Sequence, residues 1–226
     1  MDTQLARATV SIREMILRGR LQPGQRVAEA ALADLLSMSR TPVRQALPVL
    51  AREGLLVESG TRGYLVRTFT RTEILDAIDL RGVLEGLAAR RIAERGASAG
   101  FLRELRGCLE TGDRIFEKKY LIDSDEALYG EMNGLFHRLI VAEAGSSIID
   151  GALSHNASIP FASPEAIAFD VTELPAMFDA LQFAHQQHHA VCDALQAGQS
   201  TRVEFLMREH VNTVKRSINM IESKTA

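Results

Sequence analysis

The sequence predicts a mainly α protein in two parts, a small N-terminal unit of three helices and a β-hairpin followed by an all-helical bundle. Three observations carry this. Helical apolar spacing recurs over most of the 226 residues, strand-like runs occur only at LLVE (55–58) and GYLVRT (63–68), and charge divides unevenly along the chain. Residues 1–69 hold ten Arg and no Lys against six acidic residues, net +4; residues 70–226 hold sixteen basic and twenty-three acidic residues, net −7. The overall charge of −3 therefore conceals a basic head on an acidic body. The length suits two modest domains, placed at 1–69 and 70–226, each able to bury a core without disulfides.

In the head, Val10, Ile12, Met15, Ile16 and Leu17 give an apolar face to a first helix that stops before Gly19, and LQPGQR follows as a turn. A brief helix around AEAALADLL and the turn SMS come next. The third helix lies in SRTPVRQALPVLAREGLL (39–56), with Val43, Ala46, Leu47 and Leu50 as its buried stripe and Gly54 beyond its end. The two extended runs, joined by SGTR, read as a hairpin. Three helices and a hairpin in under 70 residues make a winged helix-turn-helix. The body is expected to be helical at about 72–95, 100–121, 124–143, 146–155, 173–197 and 199–222, with IPFASPEAIAFDVTELP as a loop or broken helix.

Composition excludes several classes. Two cysteines, Cys108 and Cys192, are too few and too far apart for a disulfide framework or a cysteine-rich zinc site. The start lacks the unbroken apolar core of a signal peptide, and no run approaches the ~20 apolar residues of a membrane span. The expectation is a soluble, cytoplasmic protein with no membrane partner.

The third helix of a helix-turn-helix enters the major groove with its N-terminal residues against bases and phosphates. Arg40 and Arg44 lie four residues apart, opposite Val43, Leu47 and Leu50, so burying the apolar stripe aims both guanidiniums outward. Arginine makes the bidentate contact to guanine O6 and N7. Ser39 and Thr41 can cap the helix or bond a phosphate, and Pro42 suits the first turn. Arg62 and Gly63 stand at the hairpin tip, where a wing reaches the minor groove or backbone. An ordinary solvated arginine face is the competing reading. Pro48 is a misfit inside the helix, where proline costs roughly 3 kcal/mol, although it lies on the outward line.

The stretch IREMILRGRLQPGQRVAEAALADLLSMSRTPVRQALPVLAREGLLVESGTRGYLV resembles the winged helix-turn-helix of the GntR family of bacterial transcription regulators. That resemblance implies that Ser39, Arg40, Thr41 and Arg44, with Arg62 and Gly63 of the wing, approach an operator. Where this chain has Pro48 the family usually has a polar or charged residue.

In the acidic body, polar residues on apolar stripes are the informative ones. Asn133 and His137 sit one turn apart beside Met132, Leu135, Phe136 and Ile140. The line Phe178, Leu181, His185, His188, Cys192, Leu195 carries two histidines, and Val203, Met207, His210, Val214, Ile218, Ile221 carries a third. Three helices each offering an inward His could converge on one divalent cation, or each His could be a satisfied core residue. Arg81 lies along Ile74, Ile78, Leu84 and Ala88, so it points inward and needs an anionic partner. Either Glu85, one turn on, or a small carboxylate effector would serve.

Residues 72–222 resemble the FCD domain of the FadR branch of the GntR family, in DLRGVLEGLAARRIA, NGLFHRLIVAEAG and QHHAVCDALQAGQSTRVEFLMREHV. Members with a metal use an Asp and three His, and the matching positions here are Asn133, His137, His188 and His210. Asparagine replaces the commoner Asp with a neutral, weaker oxygen ligand. Imidazole donors suit Zn, Ni or a similar metal; His185 and His189 match no ligand position and are neighbours of the set, with His185 the better substitute. The expected function is a ligand-responsive DNA-binding transcription regulator, a repressor, acting as a homodimer on a short inverted-repeat operator. It would sense a small organic acid through the metal and Arg81. The alternatives are a metalloregulator, a ligand-free DNA-binding dimer and, in another class, a metal-dependent enzyme, against which the histidines have no catalytic motif beside them.

Overall fold

The computed structural model describes residues 3–17, 19–60, 63–122, 124–166 and 174–222. The fold is mainly α, a helix-turn-helix unit followed by a helical one. The chain divides into two compact units at Arg71/Thr72, with Ser158–Pro160 grouped with the first.

The first unit contains α1 (Thr3–Leu17), β1 (Arg26–Val27), α2 (Glu29–Leu35), α3 (Arg40–Arg52), β2 (Leu56–Glu58) and β3 (Tyr64–Val66). Ala8, Ile12 and Met15 of α1 pack with Val43, Ala46, Leu47 and Leu50 of α3, all almost wholly buried, over Leu56 and Val66 of the sheet. The apolar spacing of α3 thus sets its orientation, because burying that stripe fixes which side chains face out. Val10, expected on the buried face of α1, is 49 % exposed; Ala8, a turn before Ile12, takes the inward place instead. The hairpin gains a third strand, in the order β1-β3-β2, with Arg26 opposite Leu65 and Leu56 opposite Val66.

The second unit contains α4 (Arg71–Arg95), α5 (Ala99–Glu117), α6 (Asp125–Ala144), α7 (Ser147–Asn156), α8 (Leu174–Gln196), α9 (Ser200–His210) and α10 (Asn212–Glu222). Serines open two of these helices: Ser98 Oγ accepts from the Phe101 amide at 3.1 Å and Ser146 Oγ from the Ile149 amide at 3.4 Å. The core runs from Ile92 and Leu105 through Phe116, Tyr129, Phe136 and Ile140 to Val191, Leu195, Val203 and Met207. At Gly86, α4 and α9 approach so closely that a Cβ would lie 2.9 Å from the Glu204 carbonyl oxygen, which only glycine accommodates.

Two helix ends depart from expectation. The helix expected to 121 stops at Glu117, where Lys119 turns the chain at φ 61°, and the Asp125 carboxylate ties the turn by accepting from Lys118 Nζ (2.7 Å) and the Ile122 amide (2.8 Å). The helix expected at 199–222 is two helices broken at Val211, beside which Thr213 Oγ1 donates to the His210 carbonyl at 2.7 Å. Among the described residues no helix is long and apolar enough to cross a membrane.

Candidate functional site

Ser39 occupies the N-cap position of α3 with extended backbone, but its hydroxyl makes no capping bond. Ser39, Arg40, Thr41 and Arg44 are all exposed, whereas Pro42 and Val43 are buried. α3 continues through Pro48, whose exposed ring replaces the amide that would have bonded the Arg44 carbonyl. Gly63 immediately precedes β3 beside the Arg26 side chain, and Arg62 lies outside the described residues.

In the body, α6, α8 and α9 bring His137, His188 and His210 together, with one nitrogen of each within 4.8 Å of the others. All three are at most 3 % exposed. His188 Nε2 and His210 Nε2 are 3.0 Å apart. Burial, followed by the neighbouring imidazoles, holds the pKa of both His188 and His210 well below the ordinary value.

Two of the three outer nitrogens are held from behind, while His188 Nδ1 is buried with no hydrogen-bond partner. His137 Nδ1 lies 2.9 Å from Glu85 Oε2, and His210 Nδ1 lies 3.0 Å from Gln187 Oε1. Each acceptor fixes a proton on Nδ1 and leaves Nε2 as the lone-pair nitrogen, the arrangement found behind metal-bound histidines. His137 Nε2 is buried with no hydrogen-bond partner. Asn133 is also buried, and it lines a small cavity together with His210 and Tyr129. Its Nδ2 donates to the Pro164 carbonyl at 2.6 Å, so Oδ1 is its one atom able to bind a metal. An orphaned imidazole nitrogen facing two others fits a divalent cation of the imidazole-preferring kind. His185, the expected substitute ligand, is instead engaged by Asp113 of α5.

Arg81 is buried to 1 % exposure and forms a loose ion pair with Glu85, one of the two partners expected for it. Its Nε is 3.9 Å from Glu85 Oε2, too far for a hydrogen bond, because that carboxylate is committed to His137. Nη1 donates to the Ala162 carbonyl at 3.3 Å, while Nε has no hydrogen-bond partner. Burial lowers the Arg81 pKa, against the raising influence of Glu85 and Glu165. Arg81, Glu85 and His137 line a cavity of about 550 Å³ together with Arg138, Ser163 and Glu165. Glu165 bonds both Arg138 and Ser163. Burial raises its pKa, but those bonds outweigh it, and the net direction is down.

Two family models match the chain. Residues 6–66 match "Bacterial regulatory proteins, gntR family" and residues 76–213 match "FCD domain". A relative from Paenarthrobacter nicotinovorans, named "Probable D-xylose utilization operon transcriptional repressor", is 30 % identical over 217 residues, covering 92 % of this chain and 88 % of its own. The chain belongs to the gntR family. Within it, the Escherichia coli (strain K12) repressor GlaR is 24 % identical over 201 residues, covering 88 % of each chain. The solved structure of E. coli McbR/YncC shares the fold over the whole of both chains, with a TM-score of 0.66 at 20 % identity. Like other GntR regulators, the protein is a DNA-binding transcription regulator and not an enzyme, with the FCD domain as its ligand-sensing part.

Sequence reasoning located the three histidines and Arg81. It missed Glu85 as the residue behind His137, Gln187 as the residue behind His210, and Glu165 in the cavity wall. Only Glu85 left a signal, a carboxylate one turn from Arg81; the ion pair forms, but nothing in the sequence indicated that the same carboxylate also holds His137.

Proposed function

We propose that this GntR regulator is a repressor that releases its operator when a small carboxylate enters the cavity of the FCD domain. The observation that carries the reading is Arg81: a buried guanidinium with an unpartnered Nε, lining a cavity large enough for a metabolite acid. A buried cation left half-paired is costly, and an anionic ligand supplies the missing acceptors. His137, His188 and His210, with Asn133 Oδ1 as a weaker fourth donor, would hold a Zn or Ni ion. Such an ion would supply a positive charge near the carboxylate. Glu85 orients His137, and Gln187 orients His210.

In the head, residues 1–69, α3 reads one half-site through Arg40 and Arg44, Ser39 and Thr41 bind phosphates, and Arg62 with Gly63 forms the wing contact. A homodimer of two such chains matches a short inverted repeat. Repression follows the names of the P. nicotinovorans and GlaR relatives. A cytoplasmic location follows from work on chromosomal DNA.

A thermal-shift screen of the purified protein against organic acids, with and without Zn or Ni, tests this reading. The expected result is a shift that needs acid and metal together, since any ligand favouring the folded state raises its stability. A shift from metal alone would favour a metalloregulator, a reading supported by the close convergence of three buried imidazoles. No shift from either would return the body to a purely structural role.

A further inference from the structure

A second cluster lies next to the first along α8, with the His185 and His188 ring centroids 5.9 Å apart, outside the cavity described above. Asp113 of α5 faces His185 and His189, which stand one turn apart on α8. Both imidazole Nε2 atoms are 2.9 Å from the same oxygen, Asp113 Oδ1, and 3.3 Å from each other. As a hydrogen-bonded group this is poorly arranged. Two N–H bonds would have to converge on one oxygen while their nitrogens sit at little more than van der Waals distance.

As a ligand set the same triangle is well arranged. A point about 2.1 Å from all three atoms, the length of a Zn–N bond, lies only about 1 Å off their plane. The backbone is shaped around it. The His185 ring lies across Gly112, the residue before Asp113, so closely that a Cβ there would sit 2.3 Å from His185 Cε1. His185 also rests on Phe116, with ring centroids 5.4 Å apart, which fixes its plane. On the outer side, Asp113 and His189 line an open cavity of about 220 Å³ that leaves coordination positions accessible to water.

We propose that Asp113, His185 and His189 form a second divalent transition-metal site, with two imidazoles and one carboxylate as protein ligands. The donors suit Zn, and the open side distinguishes this site from the enclosed one at His137, His188 and His210. The ion would tie α5 to α8, the helix that also carries His188.

The experiment is Zn stoichiometry by equilibrium dialysis and elemental analysis on the full-length protein, comparing wild type with His189→Ala, Asp113→Asn and His137→Ala. His189 and Asp113 are exposed, so replacing them leaves the core intact, which a circular-dichroism melt verifies. The expected result is that His189→Ala binds one Zn fewer per chain than wild type and that Asp113→Asn weakens the same ion by more than about tenfold. Gly112→Ala, which moves the His185 ring, is expected to weaken it as well. The difference between wild type and His137→Ala reads the enclosed site separately, so either site can fail without the other. A His189→Ala protein that binds as much Zn as wild type, at the same free concentration, overturns the proposal.

Discussion

Replacing Glu85 by glutamine keeps the shape of the side chain and an acceptor for His137 Nδ1 but removes the charge opposite Arg81. Both side chains are 2 % exposed, and Nε lies 3.9 Å from the carboxylate. At that distance, with an effective dielectric of about 20, the attraction is about 4 kcal/mol before desolvation is counted. Removing one partner of a buried pair commonly costs about 3–5 kcal/mol, because the remaining charge stays buried. Since Gln preserves the bond to His137, the expected loss is at the lower end, about 3 kcal/mol. For a chain of this size that corresponds to a fall in Tm of about 6–12 °C. The assay is urea unfolding in the presence of a chelator, monitored by circular dichroism and fitted for the helical domain. A loss below about 1 kcal/mol would mean that Arg81 finds compensation elsewhere and does not depend on the Glu85 charge. In the same variant Zn affinity at the three histidines is expected to drop by about tenfold, because a neutral amide behind His137 raises the basicity of its imidazole less than a carboxylate does.

Three further outcomes are expected. Arg44→Ala should weaken specific operator binding by about 1–3 kcal/mol, read by fluorescence anisotropy; binding equal to wild type would mean that α3 does not read the operator through this residue. Pro48→Ala should raise the stability of the DNA-binding unit by roughly 1–2 kcal/mol, because it restores the amide donor to the Arg44 carbonyl at an exposed position, and an unchanged urea midpoint would contradict this. The metal-free protein should lose stability in acid. His188 and His210 have folded pKa values depressed below about 6.5, so the unfolded chain binds protons that the folded one excludes. Stability is full above about pH 6.5 and falls below it, by about 2–3 kcal/mol between pH 7.5 and 5.5 for the two groups. A urea midpoint independent of pH across that interval would show that the two histidines are not buried as described.

The elements legible in the sequence are those whose signal is local. The stripe of Val43, Ala46, Leu47 and Leu50 defines α3 because helical periodicity alone specifies which face is buried, and Arg40 and Arg44 then follow as outward residues. His137, His188 and His210 stood out because each interrupts an apolar stripe that must be buried. β1 was not legible, since two residues, Arg26 and Val27, become a strand only by pairing with β3. The break at Val211 was hidden for a similar reason: Val203 to Ile221 keeps one apolar line through it, and the interruption accompanies the Thr213 hydroxyl at a backbone carbonyl. Glu85 illustrates the limit at the site. Its sequence neighbour is Arg81, but folding brings α6 against α4 and gives its carboxylate to His137, which leaves the arginine half-paired. Asp113, on a helix far in sequence from His185 and His189, could be joined to them only by the packing of α5 on α8.

On the proposed function, an acid bound at Arg81 is felt at the DNA. The most direct measurement is operator affinity of the Zn-loaded full-length protein, by fluorescence anisotropy on a duplex selected from a random library, titrated with glycolate, lactate, succinate, citrate and gluconate. The expected result is that at least one acid lowers affinity by about 5–150-fold in wild type and has no effect on Arg81→Met, whose own operator affinity without acid is preserved. Operator affinity indifferent to every acid in wild type, or an acid response that survives in Arg81→Met, would contradict it.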